Sequence, residues 1–357
     1  MDQAPRLWFI TLGLAITSSA SAAVTFDWAV VGNARNAGEL SGAGTGAFGP
    51  DKVVGAVPYN YAISKTEVTN AQYTEFLNAV DPTGANLLGL FNDTGFLGGM
   101  PGNFGGIEKT GTVDGARYIA QPGRDLNPVT FVSFFDAMRF TNWLHNGQGS
   151  GDTETGAYTI GNGVTEVRSA NARYWIPSED EWYKAGYHDA SAGTDGVYFD
   201  YATGSDSPPV SDQPGDNPSA VNYYNDDGVA NGFNDGHAVS GSISFPTSTN
   251  PFTDVGAYTA AVSPYGTFDQ SGNVGEWNEA VIESAVFNAT FRGLRGGAWG
   301  DDPIGLRAGG RFSLLPSSEG RGVGFRIATV PEPSTLALAA IGAVVAGRRR
   351  GCLWCRK

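Results

Sequence analysis

Hydrophobic and polar positions along the chain alternate between three helical stretches and many short extended ones. Tyr73, Phe76, Leu77 and Val80 recur at three- and four-residue spacing, which puts them on one face of a helix. Thr69 precedes that stretch with Gln72 three residues on, a capping box that predicts the helix start, and Asp81-Pro82 ends it. A second helix, entered through Asn127-Pro-Val-Thr130 and capped by Ser133, buries Ala137, Phe140 and Leu144. Gly147 is placed to end it in the left-handed conformation. Ser178 and Glu181 form another capping box and open a third helix to about Tyr187. Val24–Val31, Val53–Ser64 and Tyr174-Trp-Ile176 read as strands, and from Val255 to Ala328 short strands alternate with glycine turns.

The segments between are governed by glycine. With 51 glycines in 357 residues, much of the chain must be turns and irregular loops. Residues 32–49 are a Gly/Ala-rich loop, and 83–125 read as a long surface excursion. The Asp/Gly-rich insertion at about 189–251 is too long for an ordinary connection. Its aspartates, among them Asp195, Asp200, Asp212, Asp226, Asp227 and Asp235, either hold cations or belong to a solvated, unordered loop. No EF-hand spacing decides between these. A few helices followed by many short strands predict an α+β domain of low regular content.

Both ends carry addresses. Arg6, the apolar run Leu7–Ile16 and Ala20-Ser-Ala22 read as a signal peptide over residues 1–22, so the domain at 23–328 is expected to be exported. At 329–357, Val330-Pro-Glu-Pro-Ser-Thr335 leads into the apolar run Leu336–Ala346 and then Arg348-Arg-Arg350. Basic residues after an apolar run stay cytoplasmic. This tail resembles the PEP-CTERM sorting tail of Gram-negative bacteria, although Gly351-Cys-Leu-Trp-Cys-Arg-Lys357 extends beyond the usual end. The resemblance implies transient inner-membrane anchoring, processing by an exosortase and a place at the cell surface or in extracellular polysaccharide.

Charge and cysteine content narrow the chemistry. The formal net charge is −14. The ends carry more bases than acids, so the domain itself is more acidic still and repels nucleic acid. The two cysteines, Cys352 and Cys355, both lie in the tail, leaving the domain without thiol chemistry. His145, His188 and His237 are scattered, without compact metal-ligand spacing. No G-x-S-x-G elbow or P-loop lysine occurs, and paired carboxylates for glycoside hydrolysis are left open only because acids are so many.

One stretch concentrates oxygen donors: Ser263-Pro-Tyr-Gly-Thr-Phe-Asp-Gln-Ser-Gly-Asn-Val-Gly-Glu-Trp277. A tight turn there brings Asp269, the carbonyls of Gly272 and Val274, and Glu276 toward one centre, an arrangement suited to Ca²⁺. The other reading is a glycine-kinked turn that starts a strand, with Glu276 satisfied by backbone or arginine. Tyr223, Tyr224, Phe233, Phe252, Tyr258, Tyr265 and Phe268 are interleaved with Asn and Asp and form a candidate surface for sugar or protein recognition. Trp143, Trp175, Trp182, Trp277 and Trp299 follow core patterns, and Arg307, Arg311 and Arg326 are expected to pair with acids.

Gly272-Asn-Val-Gly-Glu-Trp277 also resembles the G-N-x-x-E-W signature of the formylglycine-generating enzyme (sulfatase-modifying factor) family. Lys65-Thr-Glu-Val-Thr-Asn-Ala-Gln-Tyr73, Asn127-Pro-Val-Thr130, Ile176-Pro-Ser-Glu-Asp-Glu-Trp182, and Arg295-Gly-Gly-Ala-Trp299 with Gly324-Phe-Arg326 resemble it in the expected order. The resemblance implies a C-type-lectin-like fold and a structural calcium on Asp269, Gly272, Val274 and Glu276. A second calcium site of the family would begin at Asn222. Family oxidases hold copper on two cysteines in the region that here runs from Arg295 to Phe325, which has none; soft Cu(I) selects sulfur, so no copper site is expected. The expectation is therefore a non-catalytic, calcium-stabilised exported module that binds protein or carbohydrate. The alternative is an active metal-dependent oxidase of the formylglycine-generating and sulfoxide synthase superfamily, acting on a thiol.

Overall fold

The computed structural model describes residues 23–41 and 51–331; residues 1–22, where a signal peptide is expected, and most of the sorting tail, Cys352 and Cys355 included, lie outside the described residues. Strands β1 (Trp28–Val31), β2 (Glu39–Ser41), β3 (Lys52–Val54) and β4 (Tyr61–Ser64) lead into α1 (Asn70–Val80). After β5 (Ile107–Lys109) and β6 (Tyr118–Ala120) come α2 (Phe134–His145), β7 (Tyr174–Trp175) and α3 (Glu179–Tyr187). The insertion holds β8 (Val210–Ser211), β9 (Ala220–Val221), β10 (Tyr224–Asp226) and β11 (Asp235–His237). The C-terminal third comprises β12 (Gly275–Ser284), β13 (Ala289–Arg295), the short α4 (Pro303–Leu306), β14 (Phe312–Leu314), β15 (Val323–Gly324) and β16 (Ala328–Thr329).

Each long helix starts where its sequence dictates. Thr69 Oγ1 accepts from Gln72 N–H and Gln72 Oε1 from Thr69 N–H, and Ser133 with Asp136 and Ser178 with Glu181 repeat the exchange. Each box satisfies two backbone donors that a helix start otherwise leaves open. Gly147, at φ +94°, follows the end of α2 as expected. The apolar faces of α1 and α2 meet through Phe140, whose ring lies 5.4 Å from Phe76 and 5.4 Å from Phe325.

Two four-stranded sheets organise the rest, in the orders β1-β4-β16-β7 and β14-β13-β12-β15. In the first, β16 pairs with both β4 and β7, joining the two ends of the domain. In the second, the β12–β13 hairpin shifts register between Asn278 and Val281, and β15 runs parallel to β12. Trp277 projects from β12 into the core, donates its indole N–H to the Val132 carbonyl at 2.9 Å and meets Phe134 edge-on. This is an α+β architecture of low regular content.

Three expectations need correction. The stretch 53–64 is two strands, because Gly55 takes φ +84° and Pro58 lacks an N–H, so β3 pairs with β2 and β4 with β1. Residues 83–125 are no mere surface excursion: Leu90, Phe91, Met100, Phe104, Ile107 and Tyr118 are buried in the main core. The insertion is ordered around a small second core of Tyr201, Ala220, Val221 and Tyr223 with Tyr258, Ala261 and Leu306. Its aspartates build turns rather than a cation cluster: Asp189, Asp226, Asp227 and Asp235 accept from the backbone N–H of Ser191, Gly228, Val229 and Gly232.

Candidate functional site

The oxygen-rich stretch adopts the turn its glycines predict, with a different electrostatic outcome. Gly272 sits at φ +100°, and a Cβ there would lie 2.3 Å from the Asn222 carbonyl, so only glycine fits. Asp269 and Asn273 also take left-handed backbone, at φ +61° and +59°. Asn273 then ties the region together: Nδ2 donates to Glu67 Oε1, and Oδ1 accepts from Asn222 Nδ2 at 3.0 Å. Val274 is fully buried.

Glu276 is held by partners within the protein. Both its carboxylate oxygens accept from Arg326, at 2.6 and 2.7 Å, and Trp182 Nε1 adds a third bond at 2.8 Å. Asp269 accepts from Gly256 N–H and faces Glu67. Burial pushes Asp269 up to about 6, and burial with Asp269 and Glu276 alongside pushes Glu67 well above the usual carboxylate range. The Arg326 guanidinium answers Glu276, while Glu67 Oε2 is buried without a hydrogen-bond partner. In this arrangement the Glu276 carboxylate is engaged by Arg326 and Trp182 and Asp269 by the Gly256 N–H, with the Arg326 guanidinium supplying positive charge beside them. Among the described residues no three His, Cys, Asp or Glu side chains form a metal-sized group.

The other charged and aromatic residues singled out in the sequence find partners within the protein. Arg307, Arg311 and Arg326 pair with Asp200, Glu179 and Glu276, and the five tryptophans singled out are buried. Glu179 also binds Arg295 at 2.8 Å, and these guanidinium groups hold its carboxyl down at about 2 against the opposing effect of burial. His145 Nδ1 accepts from Arg173 N–H, while His188 bonds Tyr265 and the Asp195 carbonyl. The aromatic set is not one recognition surface: Tyr223, Phe252 and Tyr258 are buried, whereas Phe233 is exposed.

What remains open is a cleft of about 520 Å³ along the Arg295–Phe325 region. Leu294, Phe312, Leu314 and Val323 form its apolar wall, and Phe245 reaches in from the insertion. Trp299 stacks on Phe104 at 5.4 Å and lies 5.3 Å from His237. Trp299 Nε1 and His237 Nδ1 are both buried without a hydrogen-bond partner. Burial lowers the His237 pKa below its ordinary value, so the ring is neutral at pH 7. Asp301 and Arg321 complete the lining, and Asp301 Oδ2 accepts from Ala298 N–H. Trp299 is a core residue, as its sequence pattern predicts, with its indole N–H on the cleft side, while Arg321 carries no signal in the sequence beyond the flanking Gly320 and Gly322. A second cleft, about 400 Å³, is lined by Glu39, Asp51, Tyr183, Asp200 and Arg307.

Residues 34–330 match the Sulfatase-modifying factor enzyme 1-like domain, and residues 329–350 match the PEP-CTERM protein-sorting motif. Comparison with curated proteins gives no match. Among solved structures, CarF is similar at 18% identity over 86% of this chain and 99% of that one, with a TM-score of 0.46. Treponema denticola variable protein 1 gives 18%, 86%, 96% and 0.47, and PvdO from Pseudomonas aeruginosa 18%, 85%, 94% and 0.43. The sorting motif marks export to the Gram-negative cell surface and processing by an exosortase. With its domain match spanning residues 34–330, the chain belongs to the sulfatase-modifying factor family.

Proposed function

We propose that the protein is a non-catalytic member of its family that binds a ligand, carbohydrate or protein, in the Trp299 cleft after export. The observation that carries this reading is the composition of that cleft. The region that in the family's oxidases provides two copper-binding cysteines here has none, yet it encloses about 520 Å³ lined by apolar side chains and two unanswered polar atoms. An apolar concavity with a few convergent polar groups suits a ligand. Carboxylates and an imidazole do not replace thiolates for Cu(I) or for thiol-dependent oxidation.

His237 and Asp301 on the same cleft are what favours the second reading, an oxidase using another metal on a thiol substrate. An oxygen electrode with the purified full chain and a cysteine peptide, with copper or iron added, separates the two. The binding-module reading expects no oxygen uptake above the metal-only control. Turnover abolished by His237→Ala would establish the oxidase instead.

A further inference from the structure

We propose that the ligand of the Trp299 cleft is a monocarboxylate carried on a flat or pyranose ring, with its carboxylate between Arg321 and the Trp299 indole N–H. This rests on the cleft being a binding site and adds what it binds. The Arg321 guanidinium lies 4.8 Å from the Phe96 ring centre and 5.2 Å from that of Phe245, held by two aromatic faces. Among the described residues no carboxylate stands within ion-pair distance of it, so its planar fork of donors is left for a ligand. The next residue, Gly322, lies against the indole: a Cβ there would sit 3.1 Å from Ala298 Cβ and 3.6 Å from Trp299 Nε1.

An indole N–H is a donor only, and leaving it buried without an acceptor is costly. Two donor groups on one cleft call for an acceptor-rich, negatively charged partner. A neutral His237 Nδ1 can serve as a third contact through either tautomer. The anion should carry a single charge, because one arginine faces it, the Asp301 carboxylate lines the same cleft and the chain bears a net charge of −14. Phe312, Leu314 and Val323 then offer an apolar wall for a ring face.

The test is a titration of the full chain, followed by ligand-observed NMR, with D-glucuronate, benzoate, D-glucose and inorganic phosphate. Glucuronate or benzoate should bind at least about tenfold more tightly than glucose, the scale of one charge-assisted contact. The tighter of the two acids tells an acidic sugar from an aromatic acid. Arg321→Met should abolish the preference with an unchanged circular dichroism spectrum. Gly322→Ala should weaken both acids about tenfold by narrowing access to the indole. Glucose binding as well as glucuronate, phosphate outcompeting both acids, no acid binding at all, or a preference that survives Arg321→Met would each overturn the ligand class. Oxygen uptake with a thiol substrate would instead overturn the binding-module reading beneath it.

Discussion

At the scale of single residues, the decisive feature is a charge exchanged within the protein. Arg326 and Glu276 are both fully buried, and a bidentate guanidinium–carboxylate pair with Trp182 added satisfies the carboxylate completely. Replacing a member of such a pair strands the other charge in the interior, which costs about 3–5 kcal/mol. Glu276→Gln and Arg326→Met are therefore each expected to lower the unfolding free energy by about that amount, measured by urea denaturation. The same geometry predicts that EDTA leaves the melting temperature within about 2 °C, since one kcal/mol moves a domain of this size by a few degrees. A larger chelator effect would mean that the domain holds a stabilising metal, and a Glu276→Gln variant as stable as the parent would mean that the buried pair contributes little.

At the scale of elements, helix starts were legible because capping is local chemistry: Thr69, Ser133 and Ser178 declare themselves by side chains three residues apart. Removing one cap hydroxyl, as in Ser178→Ala, should cost about 1 kcal/mol. What the neighbouring Glu179 does was not legible, because its partners Arg295 and Arg311 lie more than a hundred residues away in sequence. It clips α3 to β13 and to the segment before β14. Glu179→Gln should cost about 3–5 kcal/mol by leaving two buried guanidinium groups short of charge, several times the effect of Ser178→Ala on the same denaturation axis. Comparable losses in the two variants would show that Glu179 is only a surface residue of the helix. The insertion was misread for a related reason. Its aspartates and glycines look like solvated loop, while the ring contacts that order it are spread over Tyr201, Tyr223, Tyr258 and Leu306. The Trp299 cleft needs residues from the insertion, α4's flanks and the four strands of the second sheet at once, so no single stretch of sequence announces it.

For the whole molecule, titrating groups pull in two directions, and the result is an acid-side optimum. Burial raises Asp136 to about 6 and both Glu279 and Glu319 to about 7, partly offset at Asp136 by the Ser133 hydroxyl and backbone and at Glu279 by Arg168. A carboxyl whose folded pKa is raised favours the folded state when protonated. Its contribution is complete below the unfolded value of about 4 and is lost as pH climbs through about 6 to 7. Glu179, held near 2, has the opposite sign: its contribution is present above about 4.5 and is lost as pH falls toward 2. Mutual repulsion in so acidic a chain adds to the loss on the alkaline side. Stability should therefore peak between about pH 4 and 5, falling toward both pH 8 and pH 2. Urea midpoints across that range, taken on dilute protein because the isoelectric point is near 4.6, give the curve. Glu279→Gln should flatten its alkaline limb and Glu179→Gln its acidic limb. A maximum at pH 8, or an alkaline limb untouched by Glu279→Gln, would show that these buried carboxyls reach water, and with it that the interior is looser than the fold implies.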